Sequence, residues 1–417
     1  MKSRILVVFL VIVLAVSPIV FSACKAPAEV KTAKIGFLAA LSGEAAPWGL
    51  PGLYGLQIWV EEVNAAGGIQ VGNEKYKVEI VTYDDENTPS KCLLGARKLV
   101  LEDKVNVLVT LGGSPVHAIL PFLTQQRMLD FDLNPSNVSI NAPYLVSTAE
   151  DFPAYFALGA EYIAKTYPEI KTVAFTNQDD FLGVISQAYS LAGYEAAGIE
   201  VVYNRLYAME TTDFAPIVTA ILATAPDMVS LGCSYPSFND LLTEQLYLHG
   251  YEGLITSVEF VRSTTLAKVP ADWLEARHAV SHFPTFDDPM LSEKEHKFYA
   301  EYMSRWPEAW GAVSWEYAAS MEAWKYGVEL AGSVEPMAVY EALKAADTVP
   351  QPFGEGTWQG TELFGIDNWL AKPWPITEFY EGNHHIVTFL SFADWYKEHG
   401  DILLKYLEEA GLLWWQL

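Results

Sequence analysis

The chain has 417 residues and a formal net charge of -26, because 52 Asp and Glu residues outnumber 26 Lys and Arg residues. Hydrophobic residues make up 51% of the sequence and charged residues 19%, which is typical of a globular chain with sizeable cores and excludes a disordered protein. So negative a charge argues against nucleic acid as a partner and against a basic membrane-binding face. Three cysteines are too few for a disulfide framework.

The beginning of the chain predicts export. A short basic start precedes an uncharged apolar run over 5–20, and small residues stand directly before Cys24. This order is typical of a signal peptide, which we predict over 1–23. An uncleaved membrane anchor is the alternative, although a spanning helix needs about 20 apolar residues. The small residues before Cys24 resemble a bacterial lipobox, in which the cysteine becomes the lipidated N-terminus.

The lipobox resemblance implies a protein anchored by lipid at Cys24, with a polar tether over 24–32 and a periplasmic or cell-surface location. Ordinary cleavage after Ala26-Pro27-Ala28 is the rival possibility. No segment after residue 24 has the apolar length of a membrane span.

Beyond the tether, strand-like apolar runs alternate with helix-like runs. The first series predicts strands at 35–38, 78–83, 105–111 and 128–133, with helices at 53–66, 89–99 and 115–126. The second series predicts strands at 172–176, 200–207, 228–231 and 254–257, with helices at 154–166, 184–197, 214–225 and 238–249. Because strands that alternate with helices build parallel sheets, the fold class is α/β with two similar doubly wound lobes.

The last third of the chain has a different pattern. It predicts helices at 293–305, 315–330 and 337–346, then a hairpin formed by 376–380 and 385–390, and an amphipathic tail over 392–417. The apolar end of this tail most simply docks on its own domain.

An ordered series of short stretches carries a family resemblance. The stretches are 35–43, Trp48-Gly49, 64–69, Tyr83-Asp84-Asp85, 96–100, Gly112-Gly113-Ser114, 315–319 and Ala331-Gly332-Ser333. In this order they resemble type I periplasmic binding proteins, most closely the branched-chain amino acid (leucine/isoleucine/valine) binding subfamily that feeds ABC importers. The resemblance extends over about residues 33–390.

The resemblance implies two lobes joined by a hinge with three crossings, near 150, 284 and 360. Lobe 1 would comprise 33–150 plus 285–360, and lobe 2 would comprise 151–284 plus 361–417. Parallel sheets bind ligands beyond the carboxyl ends of their strands, so the cleft between the lobes is the expected site. Closure around a small-molecule ligand is the expected motion.

The first lobe offers five candidate ligand-binding residues. In the family an aromatic residue covers the ligand, and Trp48 in the predicted loop 41–49 matches it, with a core role as the alternative. Gly113 and Ser114 follow a strand and open a helix, where backbone N–H groups favour a carboxylate. A plain N-cap role is the alternative for Ser114, and both roles can hold together. The subfamily then places a cluster of small polar residues, which Ser136 matches and Asn137 does not. This departure leaves simple leucine specificity open.

The second lobe offers three more candidate ligand-binding residues. Phe181 occupies the place of an aromatic residue before glycine, and Tyr235 matches an aromatic residue that contacts the ligand in the family. Glu259 stands at the position of the acid that pairs with the ligand ammonium. A solvated side chain is the alternative for Glu259.

The resemblance implies an exported substrate-binding lipoprotein, not an enzyme, that delivers a hydrophobic or aromatic amino acid to ABC permease subunits. It implies no cofactor, and we expect a monomer. A ligand-sensing receptor of the same fold is the runner-up, and amine-free aromatic carboxylates are the alternative ligands. The scattered histidines lack the companion ligands of a metal site, and no nucleophile motif supports an exported hydrolase.

Overall fold

The computed structural model describes residues 31–43 and 45–416. The predicted signal peptide, Cys24 and nearly all of the tether lie outside this part of the chain. Within it, none of the helices is long and apolar enough to cross a membrane.

The first lobe is built on a six-stranded sheet. Its strands are β1 (Thr32–Ala39), β2 (Ile69–Val71), β3 (Glu74–Asp84), β4 (Val107–Thr110), β5 (Asp130–Asp132) and β6 (Leu145–Val146). The order is β2-β3-β1-β4-β5-β6, and all neighbours are parallel except the pair of β2 and β3. Its helices are α1 (Ala46–Ala65), α2 (Pro89–Arg97), α3 (Ser114–His117) and α4 (Leu120–Gln126).

Helix α1 begins at Ala46, well before the predicted start at residue 53. Its early turns contain Pro51 and closely spaced glycines, which hide the helical pattern in the sequence. The glycines are required by close packing. A Cβ on Gly49 would lie 1.7 Å from the carbonyl oxygen of Ala40, and one on Gly55 would lie 1.8 Å from that of Ser314. The helix therefore lies directly against the backbone on two sides.

The second lobe begins with α5 (Ala154–Thr166). Five parallel strands follow: β7 (Thr172–Gln178), β8 (Glu200–Tyr207), β9 (Met228–Ser230), β10 (Leu254–Thr256) and β11 (Val280–Ser281). The helices between them are α6 (Phe181–Ala197), α7 (Ala215–Leu222), α8 (Pro236–Leu248), α9 (Arg262–Thr265) and α10 (Ala271–Ala276). The observed bounds of α5 and β8 are those that the sequence predicts.

The chain then returns to the first lobe. Helices α11 (Glu293–Arg305) and α12 (Glu316–Ala331) pack on α1, and α13 (Pro336–Ala345) packs on α12. A three-stranded antiparallel sheet follows, formed by β12 (Val349–Gln351), β13 (Gly354–Gln359) and β14 (Trp369–Ala371), with α14 (Thr361–Phe364) before the last strand.

The chain finally crosses back and completes the second lobe. Strands β15 (Pro373–Tyr380) and β16 (Asn383–Ser391) are antiparallel and extend the second sheet beside β11, giving the order β16-β15-β11-β10-β9-β7-β8. Helix α15 (Phe392–Glu409) packs on α5 and α6. The fold is thus the predicted two-lobed α/β arrangement, with an antiparallel edge on each parallel sheet.

Three passages connect the two lobes. The first follows β6, the second follows β11, and the third lies at Lys372, later than the expected position near 360. Lys372 pairs with Asp151 from the first passage, with 3.0 Å between Nζ and Oδ1 and no exposure of either side chain. A buried ion pair therefore ties two of the three connections together.

Candidate ligand-binding cleft

A cavity of about 240 Å³ lies between the two lobes. From the first lobe it is lined by Trp48, Asn87, Leu111, Gly112, Gly113, Ser114, Pro115, Leu133, Asn134, Ala312 and Val313. From the first passage and the second lobe it is lined by Glu150, Phe152, Tyr155, Asp180, Leu182, Met209, Cys233, Tyr235, Val258 and Phe283. Most of these residues come directly after a strand, so the cavity lies at the carboxyl ends of both sheets, where such folds bind ligands.

Two predicted aromatic residues face each other across the lobes. Trp48 lies in the first turn of α1, not in a loop as predicted, because α1 starts earlier than the sequence pattern indicates. Tyr235 precedes α8 in the second lobe. Their ring centroids are 4.6 Å apart, with an angle of 35° between the rings. The pair forms an apolar wall to which both lobes contribute.

The predicted glycine and serine at the end of β4 also line the cavity. Gly112 has φ of 103° and Gly113 has φ of 75°, a region of backbone conformation that favours glycine. A Cβ on Gly112 would lie 2.5 Å from Cβ of Asn134. The loop can therefore approach its neighbours closely, and its backbone together with Ser114 forms part of the cavity surface.

Ser136 and Asn137 are not among the lining residues. They lie in the 3₁₀ turn Pro135–Asn137, where the hydroxyl of Ser136 bonds to Oδ1 of Asn134. Nδ2 of Asn137 lies 3.2 Å from Oδ2 of Asp132 and 3.4 Å from the carbonyl oxygen of Gly113. The turn thus supports the loop at Gly113, and Asn134 takes the place in the lining.

Phe181 is the first residue of α6 and also lies outside the lining. Its ring packs edge-on against His117, with 4.7 Å between the ring centroids. Leu182, the next residue, lines the cavity instead. The difference of one position follows from the helix, because successive side chains on a helix point in different directions.

Glu259 lies behind the aromatic wall. Its Oε1 accepts a hydrogen bond from Nε1 of Trp48 at 3.3 Å, and its Oε2 accepts one from the backbone N–H of Ala312 at 2.7 Å. The side chain is buried, and this burial raises the pKa of Glu259 to about 7. Glu259 therefore contacts two lining residues without lining the cavity itself, and its role as an ammonium partner stays a prediction.

Two carboxyl groups that the sequence analysis missed do face the cavity. Glu150 accepts a hydrogen bond from the hydroxyl of Tyr155 at 3.0 Å, and Asp180 accepts one from the hydroxyl of Tyr235 at 3.0 Å. Burial raises the pKa of Glu150 to about 8 and raises that of Asp180. Both follow the end of a strand or a passage between lobes, which is the only sequence signal that could have marked them.

The lining is apolar and acidic. Among the described residues that line it there is no Lys, Arg or His, so the two carboxyl groups face no basic side chain from the lining. No group of three His, Cys, Asp or Glu residues in the described part of the chain could hold a metal ion. Such a surface suits a small organic molecule that has an apolar body and a polar end.

Two α/β lobes, three connecting passages and a cavity between the strand ends define a bilobed solute-binding protein. A family model described as periplasmic binding protein matches residues 32–377, and the chain belongs to this family. The curated Leu/Ile/Val-binding protein BraC3 of Rhizobium johnstonii is 26% identical over 347 residues, which cover 81% of this chain and 91% of that protein. The predicted type I family is confirmed, and the curated relatives support its branched-chain amino acid binding subfamily.

Solved structures support the fold. An ABC transporter substrate-binding protein from Sphaerobacter thermophilus aligns with a TM-score of 0.71 and 20% identity, covering 87% of this chain and 98% of that one. A solute-binding protein of an ABC transporter from Rhodopseudomonas palustris BisB5, in complex with 3,4-dihydroxybenzoic acid, aligns with a TM-score of 0.72 and 18% identity. It covers 86% of this chain and 97% of that one. The chain is an ABC-type substrate-binding protein of a periplasmic family.

Proposed function

We propose that this protein captures a hydrophobic or aromatic amino acid in the cleft and delivers it to the permease of an ABC importer. The observation that carries the proposal is the lining of the cavity, which combines the facing rings of Trp48 and Tyr235 with the carboxyl groups of Glu150 and Asp180. Buried carboxylates are costly unless they are paired, and a ligand ammonium would pair them.

The remaining parts of an amino acid also find partners. The loop at Gly113 and Ser114 offers backbone N–H groups and a hydroxyl for the α-carboxylate. The rings of Trp48 and Tyr235 together with Leu182 would surround the side chain. Glu259, behind Trp48, would add negative potential near the ammonium. The relative BraC3, named as a Leu/Ile/Val-binding protein, is consistent with this ligand class.

Amine-free aromatic carboxylates are the second candidate ligands. This candidate is favoured by the structural similarity to a solute-binding protein that was solved in complex with 3,4-dihydroxybenzoic acid. The pKa of Glu150, raised to about 8 by burial, would let this group stay protonated and donate a hydrogen bond to a ligand oxygen, and burial raises the pKa of Asp180 in the same direction. The two candidate ligands therefore differ in one group, the ammonium. They also differ in whether they bind better to charged or to protonated carboxyl groups in the cleft.

Calorimetry with matched ligands separates the two candidates. Phenylalanine and phenylpropionate share the ring and the carboxylate, and they differ in the amine. The proposal expects phenylalanine to bind more tightly and Glu259→Gln to weaken it. Equal binding of the amine-free acid, with amino acid affinity unchanged in Glu259→Gln, would overturn the amino acid assignment.

The class of binding protein carries its own tests. We propose that the ligand is bound without being changed, so incubation with purified protein should leave it intact. We also propose lipid attachment at Cys24, so Cys24→Ser should move the protein out of the membrane fraction. Genes for a permease and an ATPase beside this one would favour transport, and their absence would favour a sensor.

A further inference from the structure

A second cavity lies on the first lobe and shares no lining residue with the cleft. It has a volume of about 400 Å³ and lies between α1, α11, α12 and the turn between β12 and β13. We call it the outer cavity. Its aromatic walls are Trp59, Phe286, Phe298 and Trp315. The segment around residues 312–315 separates the two cavities, because Ala312 and Val313 line the cleft and Trp315 lines the outer cavity.

The charged residues around the outer cavity leave an excess of negative charge. Glu62, Glu295 and Glu322 line it, and Lys294 is the single basic residue in the described lining. Nζ of Lys294 lies 3.6 Å from Oε1 of Glu322, and the lysine side chain is mostly exposed. Partial desolvation and the neighbouring Glu301 and Glu322 raise the pKa of Glu62, which is still exposed at the mouth, and Lys294 opposes them. Nζ of Lys325 also lies 3.4 Å from Oε1 of Glu322, so Glu322 is paired, whereas Glu62 and Glu295 form no ion pair with a described residue.

A hydrogen bond at Trp59 makes the aromatic wall more attractive to a cation. Nε1 of Trp59 donates to Oε2 of Glu322 at 2.7 Å, which places a negative charge at the edge of this indole. A carboxylate at the N–H edge increases the electron density of the ring, and a Trp face is the strongest aromatic partner for a cation. Trp59 is buried and thus held in place against the cavity.

Two lining residues also carry buried polar atoms. Nε1 of Trp315 is buried and has no hydrogen-bond partner among the described residues, although Trp315 lines the outer cavity. Buried indole N–H groups usually find a partner. Oε1 of Gln351, another lining residue, is likewise buried without a partner in the described part of the chain. The lining residues thus hold one donor and one acceptor that are buried in the cavity wall and have no partner among the described residues.

We propose that the outer cavity is a second ligand site, which binds a small organic cation with an apolar body. Aromatic faces beside carboxylates that lack an ion pair, as Glu62 and Glu295 do, recognise substituted ammonium groups through cation–π attraction and charge. The site is independent of the ligand that occupies the cleft, and the net charge of -26 on the whole chain favours the approach of cations.

Binding of a probe series to the purified protein tests this site. The series consists of benzyltrimethylammonium, neutral benzyl alcohol and anionic benzoate. Binding of each probe is measured by calorimetry and by ligand-observed NMR. Benzyltrimethylammonium should bind at least about fivefold more tightly than the alcohol, the factor expected for a cation–π contact of about 1 kcal/mol. High salt should weaken binding of benzyltrimethylammonium and leave binding of benzyl alcohol unchanged.

Variants locate the binding. Glu62→Gln at the mouth and Phe298→Leu in the wall should each weaken binding of benzyltrimethylammonium. Trp48→Leu in the cleft should leave this binding unchanged. Folding of each variant is checked by thermal denaturation, and Glu62→Gln changes only an exposed side chain. Absence of cation binding, equal binding of cation and alcohol, or loss of binding only in Trp48→Leu would overturn the proposal.

Discussion

Glu259 of the second lobe is hydrogen-bonded to the backbone of Ala312 in the first lobe, with 2.7 Å between Oε2 and the amide nitrogen. The other carboxylate oxygen accepts from Trp48, which is also in the first lobe. Glu259 therefore joins the lobes at the edge of the cleft. We therefore expect Glu259 to favour the closed arrangement of the lobes.

The buried Glu259 should make stability depend on pH. Its pKa of about 7 in the folded protein lies above the ordinary value of 4.5, so the fold favours the protonated form. Stability from this group is fully present below pH 4.5 and is lost as the pH rises through about 7. The loss is on the order of 2–4 kcal/mol. Urea denaturation between pH 4.5 and 8 should show this decline in the wild type and a flatter profile in Glu259→Gln. Identical slopes would contradict the assignment.

The buried ion pair at the passages between lobes should be costly to break. Lys372→Met leaves the carboxylate of Asp151 buried with only N–H donors from Trp369 and the backbone of residue 372. We expect a loss of about 3–5 kcal/mol in the free energy of unfolding. The double variant Asp151→Leu, Lys372→Met removes both charges and should recover much of this loss. A double variant less stable than Lys372→Met would argue against unpaired charge as the cause.

Gly49 should tolerate no side chain. A Cβ there would lie 1.7 Å from the backbone oxygen of Ala40, so α1 would have to shift together with Trp48. We expect Gly49→Ala to cost at least about 2 kcal/mol and to weaken ligand binding. The control is Gly198→Ala, where φ is 70° and no atom lies within 4 Å, so only backbone strain of about 1 kcal/mol is added. Equal effects of the two variants would contradict the packing argument.

Ligand binding should close the lobes. A ligand that contacts both Trp48 and Tyr235 is bound more tightly in the closed state and shifts the population towards it. Small-angle scattering should therefore give a smaller radius of gyration when a verified ligand is present at saturation. An unchanged radius would mean that binding does not involve closure.

Much of the fold could be predicted because the strands are continuous apolar runs and most helices have clear ends. Helix α5 and strand β8 have the predicted bounds, and α11 also begins and ends where expected. The start of helix α1 could not be predicted, because its glycines are explained by packing against the backbone of Ala40 and Ser314. The sequence pattern gives no sign of these contacts. Strand β2, of three residues, was too short to give a pattern.

The sequence predicts a cleft residue correctly where its position along the chain is enough to place it in the lining. Trp48, Gly113, Ser114 and Tyr235 line the cavity as the pattern indicates. Glu150 and Asp180 were missed because their importance depends on burial and on tyrosine partners far along the chain or around a turn. A family pattern places residues to within a position or two, and the direction of the side chain comes from the helix or turn in which it lies.

Proton release on binding tests the central claim most directly. Calorimetry at pH 7 in two buffers of different ionisation enthalpy gives the number of protons exchanged when a hydrophobic amino acid binds. Because the pKa of Glu150 lies at about 8 without ligand, an ammonium beside it should drive off a proton, and affinity should rise from pH 6 to pH 8. Proton uptake, no exchange, or failure of every hydrophobic amino acid to bind would contradict an ammonium-binding cleft.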